Sequence, residues 1–198
     1  MDPQPSVVIL AGPNGAGKST AAPFLLHEMP LDMRLFINAD EIAAERSPGN
    51  PAGAAVAAGR EMLSRLHELA LDRQSFAFET TLASRHFTPW LGGLVASGYS
   101  LDILFLWLPS PDLAVARVRG RVMVGGHDVP EAVVRRRYWR GLRNFCDLYQ
   151  PLATTWRVYD SAVSNHPLLI AAGHRQTVAD VRDRATWERI RRGAFGSE

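Results

Sequence analysis

Ser6-Val7-Val8-Ile9-Leu10-Ala11-Gly12-Pro13-Asn14-Gly15-Ala16-Gly17-Lys18-Ser19-Thr20 decides the fold. The first six residues are mostly apolar and β-prone, a glycine-rich stretch follows at once, and Thr20 to Met29 reads as a helix. The order is strand, loop, helix. The loop satisfies Gly-x-x-x-x-Gly-Lys-Ser/Thr in the context that gives this pattern its meaning. Its glycines let backbone N–H groups turn inward around phosphate oxygens, and the positive end of the next helix faces the same point. Lys18 is placed to reach β- and γ-phosphates as a compact charge, and the Ser19 hydroxyl to ligate Mg²⁺. Gly12, Pro13, Asn14, Gly15, Ala16, Gly17, Lys18, Ser19 and Thr20 are therefore the candidate nucleotide-binding residues. The alternative, a glycine turn with an incidental Lys-Ser, requires strand, helix and lysine all to be accidents.

The rest of the chain supports the same reading. Its 198 residues, 46% hydrophobic and 21% charged, suit one globular domain over residues 1–198 and exclude a disordered tail, a collagen-like chain and a coiled coil. Runs such as Val7 to Ala11 and Ile103 to Leu108 fall far short of the ~20 apolar residues of a membrane span. Met1-Asp2-Pro3-Gln4-Pro5 has neither the basic start nor the apolar stretch of a secretory signal. One cysteine, Cys146, forms no internal disulfide, so the expectation is a reducing cytoplasm. Lys18 is the only lysine among 22 basic residues. Between Arg117 and Arg143 eight arginines face two acids, Asp128 and Glu131, a local charge of +6 in a chain whose net charge is +2. Such a field suits a polyanionic ligand, either phosphates or nucleic acid.

Strand and helix signals alternate downstream. Strands are expected over Arg34–Asn38, Ser75–Glu79, Leu101–Leu108, Thr155–Tyr159 and Leu168–Ala171. Helices are expected over Glu41–Arg46, Gly53–Asp72, His86–Ser97, Asp112–Met123, Pro130–Tyr149 and Val181–Arg192, with Pro48-Gly49-Asn50-Pro51 as a breaker. Alternation of this kind implies right-handed βαβ units and a helix-covered parallel sheet. Leu101–Leu108, the most continuous apolar run, is its expected centre. Gly125-Gly126-His127-Asp128, between two arginine-bearing helices, has the character of a lid; His127 either meets phosphate or only completes the turn.

In such a sheet the carboxyl ends of the strands gather around the ligand. Asp40, after the second strand, is the candidate base for a hydroxyl attacking the γ-phosphate; the alternative is a helix N-cap. Glu79, with Thr80 and Thr81 at the end of the third strand, is a candidate ligand for a polar substrate or a metal-bound water, or else an ordinary solvated strand end. Arg117 and Arg121 share a helix face while Arg119 points elsewhere. In the next helix Val134, Tyr138, Leu142, Phe145 and Tyr149 form an apolar stripe. That stripe leaves Arg136, Arg140 and Arg143 on the opposite face and Arg137 on its flank. Planar arginine donors suit the charge that spreads over a transferred phosphoryl group; the alternative is a solvated basic face. The five tryptophans are scattered and read as core or wall, not as a base-stacking stripe.

Taken together, GPNGAGKST (Gly12–Thr20), NADEIA (Asn38–Ala43), SFAFETTLAS (Ser75–Ser84), RVRGRV leading into GGHDVP (Arg117–Pro130) and RRRYWRGLRNF (Arg135–Phe145) resemble the zeta-toxin-like group of P-loop kinases. The resemblance implies a nucleoside-monophosphate-kinase-like α/β fold with a five-stranded parallel core, helices on both faces and an arginine-bearing lid. It implies ATP and Mg²⁺, phosphorylation of a hydroxyl on a small-molecule acceptor such as UDP-N-acetylglucosamine, and an antitoxin as protein partner. It also implies Asp40 as base, Glu79, Thr80 and Thr81 as substrate ligands, Arg136 beside them, and Lys18, Arg117, Arg121 and Arg137 as the cationic part of the catalytic set. Two other readings stand beside this one. The first is a kinase of nucleic-acid ends, nucleosides or drug hydroxyls; the second is an ATP-gated switch that binds a protein without phosphotransfer.

Overall fold

The computed structural model describes residues 4–27, 29, 35–47, 51–126, 128–163 and 166–195, with only the backbone of 51 and 52. Arg34, the breaker residues Pro48 to Asn50, and His127 lie outside the described residues. In chain order the elements are β1 (Ser6–Ala11), α1 (Lys18–Leu26), β2 (Phe36–Ile37), α2 (Ala39–Arg46), α3 (Pro51–Leu71), β3 (Phe76–Thr80), α4 (Phe87–Ala96), β4 (Ser100–Trp107), α5 (Pro111–Met123) and α6 (Glu131–Asn144). A π-helical turn (Phe145–Tyr149), a 3₁₀ turn (Gln150–Leu152), β5 (Thr155–Asp160), β6 (Leu168–His174), β7 (Thr177–Val181) and α7 (Arg184–Phe195) complete them.

The strands form one sheet in the order β2-β3-β1-β4-β5-β6-β7. The first five are parallel, as expected, and β4 is the middle strand of the seven. β1 is buried on both sides: Val7, Ile9 and Ala11 join the apolar cluster under α2, α3, α4 and α7, while Val8 and Leu10 join the one under α1 and α5. A strand covered twice loses its polar alternation, which is why β1 and β4 read as continuous apolar runs. Among the described residues no helix is long and apolar enough to cross a membrane.

Two expectations need correction at the C-terminal side. β6 is antiparallel to β5, not a further parallel strand, and β7, a strand not among those expected, is antiparallel to β6. Only Ser161 to Pro167 separate β5 from β6, too few residues for a crossover of a dozen or more, so the chain must turn back. The last helix begins at Arg184, where Asp183 accepts from Thr186 N at 3.0 Å; Val181 belongs to β7. The turn into β7 gave no glycine signal because a non-glycine, Arg175, takes the positive φ of 50°.

The helix expected to run on to Tyr149 is regular only to Asn144 and then widens into the π-helical turn. The α6 segment also changes sides. Val134 and Tyr138 pack with α1 and α5, whereas Leu142, Phe145 and Tyr149 pack with α3, α4 and α7. It therefore crosses the carboxyl ends of the strands, over the edge where a parallel sheet carries its ligand site.

Candidate functional site

The loop from β1 to α1 is shaped by three glycines at positive φ, Gly12 at 139°, Gly15 at 78° and Gly17 at 75°. A side chain at Gly12 would overlap the Leu106 carbonyl oxygen, so the loop lies against β4 with no room for a Cβ. Gly17 caps α1 without a side-chain acceptor, and the first N–H groups of α1 face the space in front of the loop. Lys18 is buried, with 6% of its side chain accessible. Its Nζ donates to Gly12 O at 3.0 Å and Pro13 O at 3.1 Å, and stands 3.5 Å from Glu79 Oε1. A buried ammonium needs such partners.

Glu79, at the carboxyl end of β3 beside β1, gathers the neighbouring polar groups. Ser19 Oγ donates to Glu79 Oε2 at 2.8 Å, and Asn38 Nδ2 donates to the same oxygen at 3.2 Å. Asn38 is 5% exposed. It also reaches Ser19 Oγ at 3.4 Å and Glu41 Oε1 at 3.5 Å, while its own Oδ1 accepts from Asp40 N at 2.9 Å. Asn38, not Asp40, is thus the N-cap of α2. Asp40 sits in the first turn, exposed; its carboxylate takes no hydrogen bond among the described residues and faces the cavity described below. Burial and then the Glu79 charge raise the pKa of Glu41 above its ordinary value.

The arginines divide by what they hold. Half-buried Arg117 donates to Ser161 O at 2.7 Å, Ala162 O at 2.6 Å and Gly15 O at 3.4 Å, and Ser161 Oγ donates to Ala16 O at 2.6 Å. This pair clasps the phosphate loop to the end of β5. Arg121 lines the cavity beneath the Gly125-Gly126 turn, whose Gly126 N donates to Arg121 O at 2.9 Å. Arg119 and Arg135 are taken up by surface pairs, Arg119 with Glu131 at 2.6 Å and Arg135 with Asp112 at 2.7 Å and Glu131 at 2.8 Å. On α6 Arg136, Arg140 and Arg143 are exposed and Arg137 half-buried, the distribution the apolar stripe requires.

One cavity of about 490 Å³ brings Asn14, Gly15, Gly17, Lys18, Ser19, Thr20, Asp40, Glu79, Arg117 and Arg121 together. Thr80 and Thr81 continue the chain from its wall, and Arg136 and Arg137 are carried by α6 outside it. A second cavity of about 260 Å³ shares Gly17, Thr20 and Arg117 and adds Ser161 and Pro167. Reading the chain alone missed Asn38, Glu41 and Ser161. Asn38 and Glu41 did carry a signal, since an asparagine three residues before a glutamate is capping-box spacing. Ser161 had none.

A family model described as Zeta toxin matches residues 1–166. The chain belongs to the zeta toxin family. An uncharacterized Haemophilus influenzae protein is 27% identical to this family member over 135 residues, 68% of this chain and 94% of that protein. Among solved structures, AvrRxo1-ORF1:-ORF2 with ATP superposes with a TM-score of 0.75 at 13% identity, covering 100% of this chain and 66% of that one. This chain therefore spans just under two thirds of that structure's length. The PezAT chromosomal toxin–antitoxin system of Streptococcus pneumoniae superposes with a TM-score of 0.65 at 15% identity, covering 98% of this chain and 80% of that chain. The zeta toxin relationship and the sheet order agree on a P-loop kinase fold.

Proposed function

We propose that this zeta-toxin-family chain is an ATP-dependent kinase that moves the γ-phosphoryl group to a hydroxyl of a small molecule, with a nucleotide sugar such as UDP-N-acetylglucosamine as the acceptor class. The observation that carries the reading is the single cavity shared by Lys18, Ser19, Asp40 and Glu79. A phosphate-binding cation, a metal-ligating hydroxyl and an acid with a free carboxylate are the parts that phosphoryl transfer needs.

The residues fit the nucleotide and its metal. The glycine cradle excludes side chains, and Asn14 Oδ1 is buried in its wall without a hydrogen-bond partner among the described residues. Ser19, with Glu79 behind it, would hold Mg²⁺, which when bound neutralises charge on the phosphate oxygens. The base would enter the second cavity, since that cavity shares Gly17, Thr20 and Arg117 with the first. Lys18 binds the β- and γ-phosphates. Glu79 is already occupied by Ser19 and Asn38, which leaves Asp40 to take the acceptor hydroxyl's proton as the new P–O bond forms and ADP departs. Arg121, joined by Arg136 and Arg137 from α6, would surround the transferred group when the turn above them closes.

The second reading, a nucleic-acid end kinase, is weakened because Arg119 and Arg135 spend their charge on Asp112 and Glu131. An antitoxin partner belongs to the proposal through the family relationship. The test is γ-labelled ATP incubated with a small-molecule extract, the labelled product being identified by mass. Asp40→Asn should bind ATP normally and lose at least ~10² in turnover. Transfer at the normal rate by that variant would refute the assignment of the base, and no labelled product with wild-type protein would refute the kinase.

A further inference from the structure

The chain directly after Glu79 is held in an unusual shape. Leu82 is fully buried, yet its φ is +55°, a conformation a leucine keeps only where its surroundings over-determine it. Thr80 Oγ1 accepts from Leu82 N at 3.2 Å and Thr81 Oγ1 from Ala83 N at 3.5 Å, so both hydroxyls are folded into the turn. Consecutive features of α6 and the π-helical turn meet the carbonyls of this loop. Gly141 packs on Thr81 O so closely that a Cβ there would overlap it. Asn144, buried, donates from Nδ2 to Leu82 O at 2.8 Å, and Tyr149 O–H donates to Ser84 O at 2.5 Å. Tyr138 O–H, in the middle of the same helix, holds it on Leu108 O at 2.6 Å. Arg137 lies one turn before Gly141 and on its face.

We infer that Gly141 and Asn144 are positioning residues for the phosphoryl acceptor. By meeting Thr81 and Leu82 they set the height of the Thr80–Ser84 loop beside Glu79, and with it the distance between that loop and Arg137. The inference rests on the kinase reading, with the acceptor bound next to Glu79. The phosphate loop has a brace of its own, Arg117 of α5 and Ser161 just after β5, on the side away from this contact. An alanine at position 141 must push helix and loop apart by about 1 Å, a displacement that costs on the order of 10²-fold when it falls on a reacting group.

The test uses the full chain with γ-labelled ATP and a deproteinised bacterial small-molecule extract as probe. Initial transfer rate at limiting extract, the KM for ATP and acceptor-free ATP hydrolysis are read for wild type, Gly141→Ala, Asn144→Leu and Gly93→Ala. Gly93 lies in α4, and its own helix apart nothing stands within 4 Å of the place a Cβ would take, so its alanine variant controls for helix substitution. The expected result is a loss of about 10² in transfer for Gly141→Ala, with ATP KM and acceptor-free hydrolysis within about twofold of wild type. Should Gly141→Ala fail to fold, Asn144→Leu carries the same expectation. Transfer at the wild-type rate by folded variants overturns the inference alone. Loss of acceptor-free hydrolysis in equal proportion also overturns it, since the role would then be structural. Absence of transfer by wild type overturns the kinase reading and takes the inference with it.

Discussion

Replacing Arg117 by methionine separates two roles for a residue that the sequence places among the catalytic cations. The guanidinium makes short bonds to the carbonyls of Ser161 and Ala162 and a long one to Gly15. Hydrogen bonds to a charged donor contribute about 1.5–3 kcal/mol each. Arg117 is half-buried, so water recovers part of the loss, and methionine keeps the packing of the stem. The net cost is then about 2–3 kcal/mol, or roughly 5–10 °C in Tm for a chain of this size. The clasp also holds the wall of the smaller cavity, so ATP should bind at least ~10-fold more weakly, about 1.4 kcal/mol. Calorimetric melting and titration with ATP read both quantities on one sample. An unchanged Tm together with a thousandfold fall in turnover would refute the clasp and return Arg117 to the transferred phosphate.

Two further outcomes are expected. Asn38→Ala removes the cap of α2 and the two hydrogen bonds that Nδ2 donates to the Ser19–Glu79 pair. It should lower stability by about 1 kcal/mol and reduce ATP affinity in Mg²⁺ towards the value measured with a chelator, by calorimetry. Stability should also fall at alkaline pH, because burial pushes the Tyr138 hydroxyl and the Cys146 thiol each up to about 12. The unfolded chain releases these protons from about pH 9 to 10, so it binds fewer protons than the fold between there and pH 12. The stabilising contribution is complete below pH 9 and is lost as pH rises. Urea midpoints from pH 8 to 11 should decline, less steeply in Cys146→Ala between pH 9 and 10; a flat profile would contradict the burial of both groups.

The parallel half of the fold is legible in the sequence because its signals are local and redundant. β1 and β4 are covered on both faces and so consist of unbroken apolar runs, and the phosphate loop announces the turn between β1 and α1. The antiparallel half is not. β7 is an edge strand, exposed at Thr177, Val178 and Ala179, with only five residues and a turn made by Arg175 instead of glycine. Neither periodicity nor turn chemistry marks such a strand; its place follows from pairing with β6, which is a long-range fact.

The site divides along the same line. Lys18, Ser19, Asp40 and Glu79 could be named because the topology of a parallel sheet sends every β-strand's carboxyl end to one edge, whatever the side chains between. The arginines could not be ranked in that way. Helical spacing puts Arg117 and Arg121 on one face, but it does not reveal that carbonyls just beyond the end of β5 compete with phosphate for the first of them. The same limit applies to α6. Its stripe showed that it would be buried, yet the change from one side of the sheet to the other depends on where Gly141 lets it cross Thr81. A glycine inside a helix reads as a cost of about 1 kcal/mol relative to alanine. Here the missing side chain is what allows the backbone of the helix to rest on the backbone of the loop, and the cost to the helix is the condition for that contact.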